Sequence, residues 1–529
     1  MKSNFFKYIF ILFVVGIIIF AIYKIYFNKE KEENVEAQNE VQVETEQIKA
    51  LRFGISNFDT INPLLSNNKE VLNVDKLIFE PLLSITEDYQ LQLCLATEVS
   101  KTSPTTYVVK IDNNKKWSDG SLFIAKDIQF TIDRLKEGKS IYSYNVEKVT
   151  SVEILDSNTV KITLVEEVPF FEYNLTFPIM PNNYYLGEDF NTSTKTPIGT
   201  GMFKISSITS SDITLEKNSN WWNKKNINPK IETISIKLYS QIGEVYNGFK
   251  LGNIDIFTSS NLNLEQYVGT IGYIKTEFKG RQFDYLAFNC QDNVVQNVEV
   301  RKAIYAAIDK ANIISSVYNN QYYLTDFPLD YGNYLNTKEE DNSNYNTENA
   351  KKILTSTGWE YKYNRWQKKQ NNKNVRLNIT LSVNSSNAQR VAVAENIKAQ
   401  LEQIGIKVTI NKLSDSAYKN AIDNKSYQVI LTGVLNSYSP NLETFFGNNN
   451  LQNYSNEEVN TLLQEVKTIS DSNTLKEKYK KIEEIFEQDR PFIGLYRNKQ
   501  TIIQSQNLSG EVKGNNYFSY YNLADWKRF

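Results

Sequence analysis

Histidine is absent from this chain, which removes Ser/His and Cys/His nucleophile pairs, imidazole metal sites and the usual general base near neutral pH. The 61 acidic residues show no recognisable spacing that would support a catalytic carboxylate pair. Cys94 and Cys290 are the two cysteines. They lie so far apart in sequence that a disulfide needs a fold which happens to juxtapose them, and two separate small hydrophobes is the simpler reading. Gly199 and Gly201 have no Lys-Ser/Thr pair opening a helix behind them, so they are expected to serve a turn rather than a phosphate. With 59 Lys plus Arg against those 61 acids, the basic surplus of a nucleic-acid binder is missing. The residue inventory therefore points to non-covalent recognition, with no enzyme activity, metal or cofactor expected and no nucleic acid among the partners.

The elements that would position a binding site belong to the α/β class. At 529 residues the chain exceeds the size of a single core, and several domains are expected. A hydrophobic share of 41% and a mean hydropathy of −0.45 fit a globular body and allow one membrane segment at most. Apolar residues alternate at Leu51, Phe53 and Ile55, at Tyr107, Val109 and Ile111, at Ile234, Ile236 and Leu238, and at Leu377, Ile379, Leu381 and Val383. That period predicts half-buried strands. Helical spacing predicts helices through Ile128, Ile132 and Leu135, through Val300, Ile304, Ala307 and Ile308, through Ile397, Leu401 and Ile404, and through Val459 to Ile469. The strand at 377–383, the helix through Ile397 and the strand Ile406, Val408, Ile410 read as one strand-helix-strand unit. The Asn- and Asp-rich stretch 336–346 and the Lys- and Asn-rich stretch 367–374 read as surface loops. The many Lys, Asn, Ile and Tyr residues read as coding bias, and no internal repeat is evident.

Tyr8 to Tyr23 carries no charge, and snorkelling of Lys7 and Lys24 extends the apolar stretch from Phe5 to Phe27, enough to span a bilayer with some tilt. No small-residue cleavage pattern follows it, and the first cysteine is residue 94, so residues 1–27 are expected to be an uncleaved anchor. Residues 28–48 hold seven Glu against two Lys and predict a solvated, self-repelling tether, ending at about residue 49.

Beyond residue 50 several segments occur in an order that resembles one family. They are Trp117-Ser118-Asp119-Gly120 with Ala125, Asp127, Ile128 and Phe130; Pro197 to Lys204; Asn220-Trp221-Trp222; Gly252 to Asp255; Leu286 to Asn289; Val298 to Asp309; Ala350 to Trp359; Ala394 to Val408; Tyr454 to Asn456; and Arg490 to Ile493. Together they resemble the peptide-type substrate-binding proteins of bacterial ABC importers, the group of oligopeptide-, dipeptide- and nickel-binding proteins. The tryptophans among them read as core or domain-contact residues rather than ligand stackers.

The resemblance implies a two-lobed clamp of the periplasmic-binding-protein type II kind, with lobes joined by a pair of crossing strands. The first lobe would take residues 50–285 and 500–529, with 90–194 as an extra subdomain, and the second lobe 286–499. It further implies a peptide or peptide-like ligand in the cleft, permease and ATPase partners, and a monomeric body held outside the cell by the N-terminal membrane helix. Asn289 and Cys290 become hinge candidates. The family's ammonium-capturing aspartate would stand in the segment Val429 to Pro440, just before a tyrosine, where this sequence has Ser437 before Tyr438. A serine accepts a hydrogen bond but cannot pair a charge, and Glu443 lies close enough in sequence to substitute. Asn289, Asn436, Ser437, Tyr438 and Glu443 are therefore the expected ligand contacts. A non-peptide solute, or a membrane-anchored sensor or scaffold role on the same fold, is the alternative.

Overall fold

The structure is a computed structural model that describes residues 50–261, 272–336, 345–370 and 373–528 together with positions 16, 24 and 264. The expected anchor (1–27) and tether (28–49) lie outside the described residues apart from Gly16 and Lys24. Among the described residues no helix is long and apolar enough to cross a membrane.

An 11-stranded mixed sheet runs through the whole body. Its central members are two long antiparallel strands, Tyr273–Phe288 and Phe492–Ser505. One half of the sheet adds Ile256–Ser259, Ala50–Ser56, Thr233–Tyr239, Asp212–Lys217 and Phe203–Ile208. The other half adds Val429–Leu435, Asn378–Asn384 and Lys407–Leu413, and Tyr322–Leu324 pairs with Phe492–Ser505 off this path. The strand-helix-strand unit forms as the periodicity requires: Asn378–Asn384 pairs in parallel with Lys407–Leu413, and helix Ala388–Gln403 buries Val393, Ala394, Ile397 and Leu401. The other expected helices form at Ala125–Lys136, Val298–Ala307 and Glu457–Glu465.

Each half of the sheet covers its own core. One core joins Leu51, Phe53, Val109, Ile132, Leu215 and Ile234 to the C-terminal Leu508, Tyr520 and Trp526. The other gathers Leu286, Ile304, Leu354, Leu381, Ile397 and Leu431. A separate four-stranded sheet, Ala96–Ser103, Thr106–Ile111, Thr159–Leu164 and Val149–Asp156, packs with helix Ala125–Lys136 beside the first core.

The loop expected at 367–374 is corrected. Glu360–Lys362, Arg365–Gln370 and Lys373–Arg376 form a three-stranded antiparallel sheet. Its polar composition belongs to the solvent face, while Trp366 is buried from the other face and donates its indole N–H to the Ile404 carbonyl at 2.8 Å. Most of the expected loop 336–346 lies outside the described residues.

The motif residues hold the first core together. Buried Glu80 accepts the indole N–H groups of Trp221 at 2.9 Å and Trp222 at 2.8 Å. Asp127 accepts from the Trp117 indole at 3.2 Å and from the backbone of Ile124 and Asn182. A Cβ on Gly199 would stand 1.9 Å from the Ile78 carbonyl oxygen, and one on Gly201 2.5 Å from that of Leu77. These glycines let two backbones touch. Asp255 takes a forked contact from Arg52, at 3.1 and 2.7 Å, and a further one from Arg528.

Candidate functional site: an aromatic cleft at the crossing strands

The two long strands pair regularly from Tyr273 with Ser505 to Lys279 with Lys499, and resume at Phe283 with Arg497. Between these points three residues, Gly280, Arg281 and Gln282, face the single Asn498. Gly280 is needed here because a Cβ would lie 1.9 Å from the Asn498 side-chain oxygen. That oxygen also accepts the Gln282 backbone N–H at 3.0 Å. An insertion of this kind bends the ladder and turns a side chain out of its regular place. The side chain so turned is Arg281, which donates to the Asn436 carbonyl at 2.5 Å and stacks over the Tyr438 ring at 3.8 Å.

A cavity of about 260 Å³ opens beside this bulge. One wall carries Tyr144, Val168, Pro169 and Asn174; the other carries Pro328, Tyr331, Leu435, Asn436 and Ser437, among others. Behind it the walls meet through tyrosines. Tyr89 packs edge-on to Tyr331 at 4.7 Å and stacks on Tyr438 at 6.2 Å. The Tyr438 hydroxyl donates to the Asn516 carbonyl at 2.9 Å, and Tyr173 donates to the Tyr89 carbonyl at 2.9 Å. Burial pushes the Tyr331 hydroxyl up to about 12 and raises those of Tyr89 and Tyr438, so these groups stay protonated donors at neutral pH. A larger depression of about 450 Å³, lined by Lys302, Tyr305, Asn349 and Arg490, lies against neither long strand. Its Arg490 is already ion-paired with Asp326, which leaves the cleft as the better candidate.

Of the expected ligand contacts, the structure brings Asn436, Ser437 and Tyr438 together at the cleft. Asn436 donates through its side chain to the Pro328 carbonyl at 2.5 Å, and its own side-chain oxygen is buried without a partner. Ser437 is exposed at the rim, its hydroxyl accepting from the backbone and side chain of Ser439 at 3.1 Å. Glu443 is absent from the cavity wall and pairs with Lys467 at 2.8 Å. Asn289 and Cys290 sit just past the end of the first long strand. Asn289 spans to the Tyr427 carbonyl at 3.1 Å and to Asn453 at 3.0 Å, and the Cys290 backbone donates to Gln452 at 2.8 Å. Both cysteines are free thiols.

Sequence reasoning missed Arg281, Arg497, Tyr89 and Tyr331. Arg497 is completely buried and donates to the carbonyls of Phe327 and Pro328, while its Nε and Nη1 have no partner. Its guanidinium lies 4.7 Å from the Phe283 ring and 5.2 Å from that of Tyr331. Arg497 directly follows the apolar run Phe492 to Tyr496, which was the available signal.

Residues 90–456 match the family described as bacterial extracellular solute-binding proteins, family 5 Middle. The chain belongs to this family. It is similar to oligopeptide-binding protein AppA of Bacillus subtilis (strain 168), with 23% identity over 496 residues, 88% of this chain and 89% of that protein. Dipeptide-binding protein DppE of the same organism is 22% identical over 483 residues, 82% of this chain and 84% of that protein. Among solved structures, the unliganded open form of the periplasmic murein tripeptide binding protein MppA superposes with a TM-score of 0.77 at 18% identity, covering 91% of this chain and 97% of that one. The nickel ABC transporter protein of Bacillus halodurans gives the same TM-score and identity, with 90% and 100% covered. The fold shared with these family 5 structures is a mixed α/β, two-lobed one.

Proposed function

We propose that this chain is the extracytoplasmic solute-binding component of an ABC importer, that it takes a peptide or peptide-like ligand into the cleft beside the crossing strands, and that it is not an enzyme. The observation that carries this is the cavity itself. Its walls come from residues 144–174 on one side and 328–331 with 434–445 on the other, and the sheet connecting the two halves bulges next to it. A ligand that touches both walls favours the closed arrangement by its extra contacts.

The lobes are taken as residues 50–285 with 500–529, including the subdomain 90–194, and as 286–499. Asn436, Ser437 and Tyr438 contact the ligand, with Glu443 in reserve if Lys467 releases it. Asn289 and Cys290 mark the second-lobe end of the hinge strand. The body works as a monomer tethered by residues 1–49 and delivers its ligand to a permease driven by ATPase subunits. Relatives named for peptides and murein tripeptide support a peptide-like ligand. A nickel cargo could not be held by histidine, of which the chain has none.

At about 260 Å³ the cavity falls below the roughly 300–1,000 Å³ usual for small-ligand sites. The lobes must therefore part to admit a peptide of several residues. Native mass spectrometry of the purified full chain tests the reading. A co-purified species with peptide fragmentation is expected, and a non-peptide species held with one-to-one stoichiometry would overturn it.

A further inference from the structure

The small sheet Glu360–Lys362, Arg365–Gln370 and Lys373–Arg376 carries Lys362, Arg365, Lys368, Lys369, Lys373 and Arg376 against the single acid Glu360, in a chain whose formal net charge is −2. Its two faces differ. Residues opposite one another in the ladder share a face, so the pairs Tyr361–Trp366 and Lys368–Val375 fall on one side and the pairs Lys362–Arg365, Gln367–Arg376 and Lys369–Asn374 on the other. The first side is anchored: Trp366 is buried in the second core, Val375 packs against that core, and the Tyr361 ring lies 5.1 Å from that of Trp366. The second side presents Lys362, Arg365, Lys369 and Arg376, all four exposed.

The four-stranded sheet of the first half handles charge differently. On and beside it Lys101, Lys110, Lys148 and Lys161 each pair with a glutamate, at 2.7, 2.8 and 2.7 Å for the first three. On the face at 360–376 Lys362 pairs with Glu360, and among the described residues Arg365, Lys369 and Arg376 form no ion pair. Lys362 and Arg365 also stand directly opposite each other, a like-charge pairing that costs a hairpin stability. The turn joining them holds Tyr363 and Asn364 at φ +54° and +60°, a conformation that suits Asn or Gly and not a bulky ring, and it leaves Tyr363 94% exposed. A hairpin serving its own stability would reverse both choices. The cations and the tyrosine tip therefore answer to something outside the body.

We propose that this face is a docking surface for an anionic lipid bilayer, so that the second lobe rests on the membrane to which the first lobe is tethered. The inference rests on the membrane-anchored reading above. Clustered Lys and Arg are drawn to anionic headgroups within a screening length, and an exposed tyrosine ring suits the headgroup level. Strand register sets the two attachments far apart. Phe53 pairs with Ile256 and Ile256 with Gln504, so the tether joins at the Ser505 end of the long strand. Leu381 pairs with Val429 and Val429 with Phe288, so Arg376 lies at the Phe492 end. The 14 residues between those ends span about 45 Å. Residues 28–48 can reach roughly 70 Å, enough for the body to lie along the bilayer with its basic face down.

The full chain is reconstituted with vesicles of phosphatidylcholine alone or mixed equally with phosphatidylglycerol. Asn364→Cys, in a Cys94→Ala, Cys290→Ala background, carries a fluorophore at the tip, and a lipid with a nitroxide headgroup reads its contact with the surface by quenching. Quenching should be about twofold stronger or more with phosphatidylglycerol, and should lose that excess at about 0.5 M salt and in the combined Arg365→Gln, Lys369→Gln, Arg376→Gln variant. All three side chains are exposed, so this variant is expected to keep its fold. A fluorophore at Thr102→Cys, on the charge-paired sheet, should ignore lipid charge; an equal response there overturns the assignment to this face. Tip quenching that ignores lipid charge, or survives the triple substitution, overturns the proposal, and retention of the wild type but not the triple variant on soluble polyphosphate would then assign the face to a soluble polyanion. Flotation with phosphatidylcholine vesicles tests the anchor separately. If the chain does not float with them the anchored reading falls, while flotation with phosphatidylglycerol vesicles that the triple substitution abolishes still supports the lipid face; flotation with neither overturns both.

Discussion

The region around Glu80 and the region around Arg497 both bury charge, and they treat it in opposite ways. In the first, every indole N–H of Trp117, Trp221 and Trp222 finds a carboxylate, and the glycines lie where backbones touch. In the second, two guanidinium nitrogens and the Asn436 side-chain oxygen are buried with nothing to bond. A matched polar node stabilises one fixed packing, whereas an unmatched one leaves its desolvation cost unrelieved.

The largest test of that contrast removes the scaffold node. Glu80→Ala leaves the buried Trp221 indole and the half-buried Trp222 indole without their acceptor, and each such loss costs up to about 1–3 kcal/mol. Chemical denaturation of the body should show a destabilisation of roughly 2–5 kcal/mol in total. A loss below about 0.5 kcal/mol, the range of ordinary surface substitutions, would mean that the node is not structural.

The cleft should respond the other way, changing selectivity with little change in stability. Wild-type protein is expected to bind a peptide and its N-acetylated form within about tenfold of each other, near 1.4 kcal/mol, since Ser437 cannot pair an ammonium. Ser437→Asp places a carboxylate at the exposed rim. It should raise the preference for the free amine by tenfold or more while shifting stability by under about 0.5 kcal/mol. Calorimetric titration of both peptides reads the change. A hundredfold preference already present in the wild type would point to Glu443, and Glu443→Gln should then abolish it.

A pH titration sharpens the comparison further. Burial raises the Asp127 carboxyl from 3.8 to about 6, against the pull of its backbone and Trp117 hydrogen bonds. Between those values the folded protein holds a proton that the unfolded chain has released. The contribution of this group to stability is therefore complete below about pH 4 and is lost as pH rises towards 6. Asp127→Asn should flatten that part of the stability profile. An unchanged slope would show that Asp127 is already ionised in the folded state.

How far the sequence could carry this distinction follows from the same physics. Alternation at Leu377 to Val383 and the helix through Ile397 gave a strand-helix-strand unit that the structure contains, because periodicity is a property of many residues at once. The tryptophan and glycine segments were legible because they recur as an ordered set. Arg281 and Arg497 belong to no set. Their meaning depends on a three-against-one bulge between strands more than 200 positions apart, which no local pattern encodes. The tyrosines, read as coding bias, fill the cleft for the same non-local reason. The strands at 365–376 were missed because their exposed face is lysine- and asparagine-rich, and their one buried anchor, Trp366, carries no period by itself.

The smallest expected effect separates two places where the crossing strands could bend. One is the bulge at Gly280–Gln282, where pairing is interrupted; the other is the strand end at Asn289 and Cys290. Burial raises the Cys290 thiol, and that of Cys94 well above its usual range. Both should therefore react slowly with a thiol reagent, Cys94 the more slowly, because the thiolate is the reactive form. If bending reaches the strand end, closing the lobes on a ligand restricts the openings through which Cys290 is attacked, and its labelling slows by a factor of a few. If bending is confined to the bulge, Cys290 moves as part of a rigid second lobe. Its rate is then the same with and without ligand, and the bulge alone carries the motion. Measuring the rate in a Cys94→Ala background, over a ligand titration, distinguishes the two. A ligand-independent rate would remove Asn289 and Cys290 from the hinge and leave Gly280, Arg281 and Gln282 as the place where binding and closure meet.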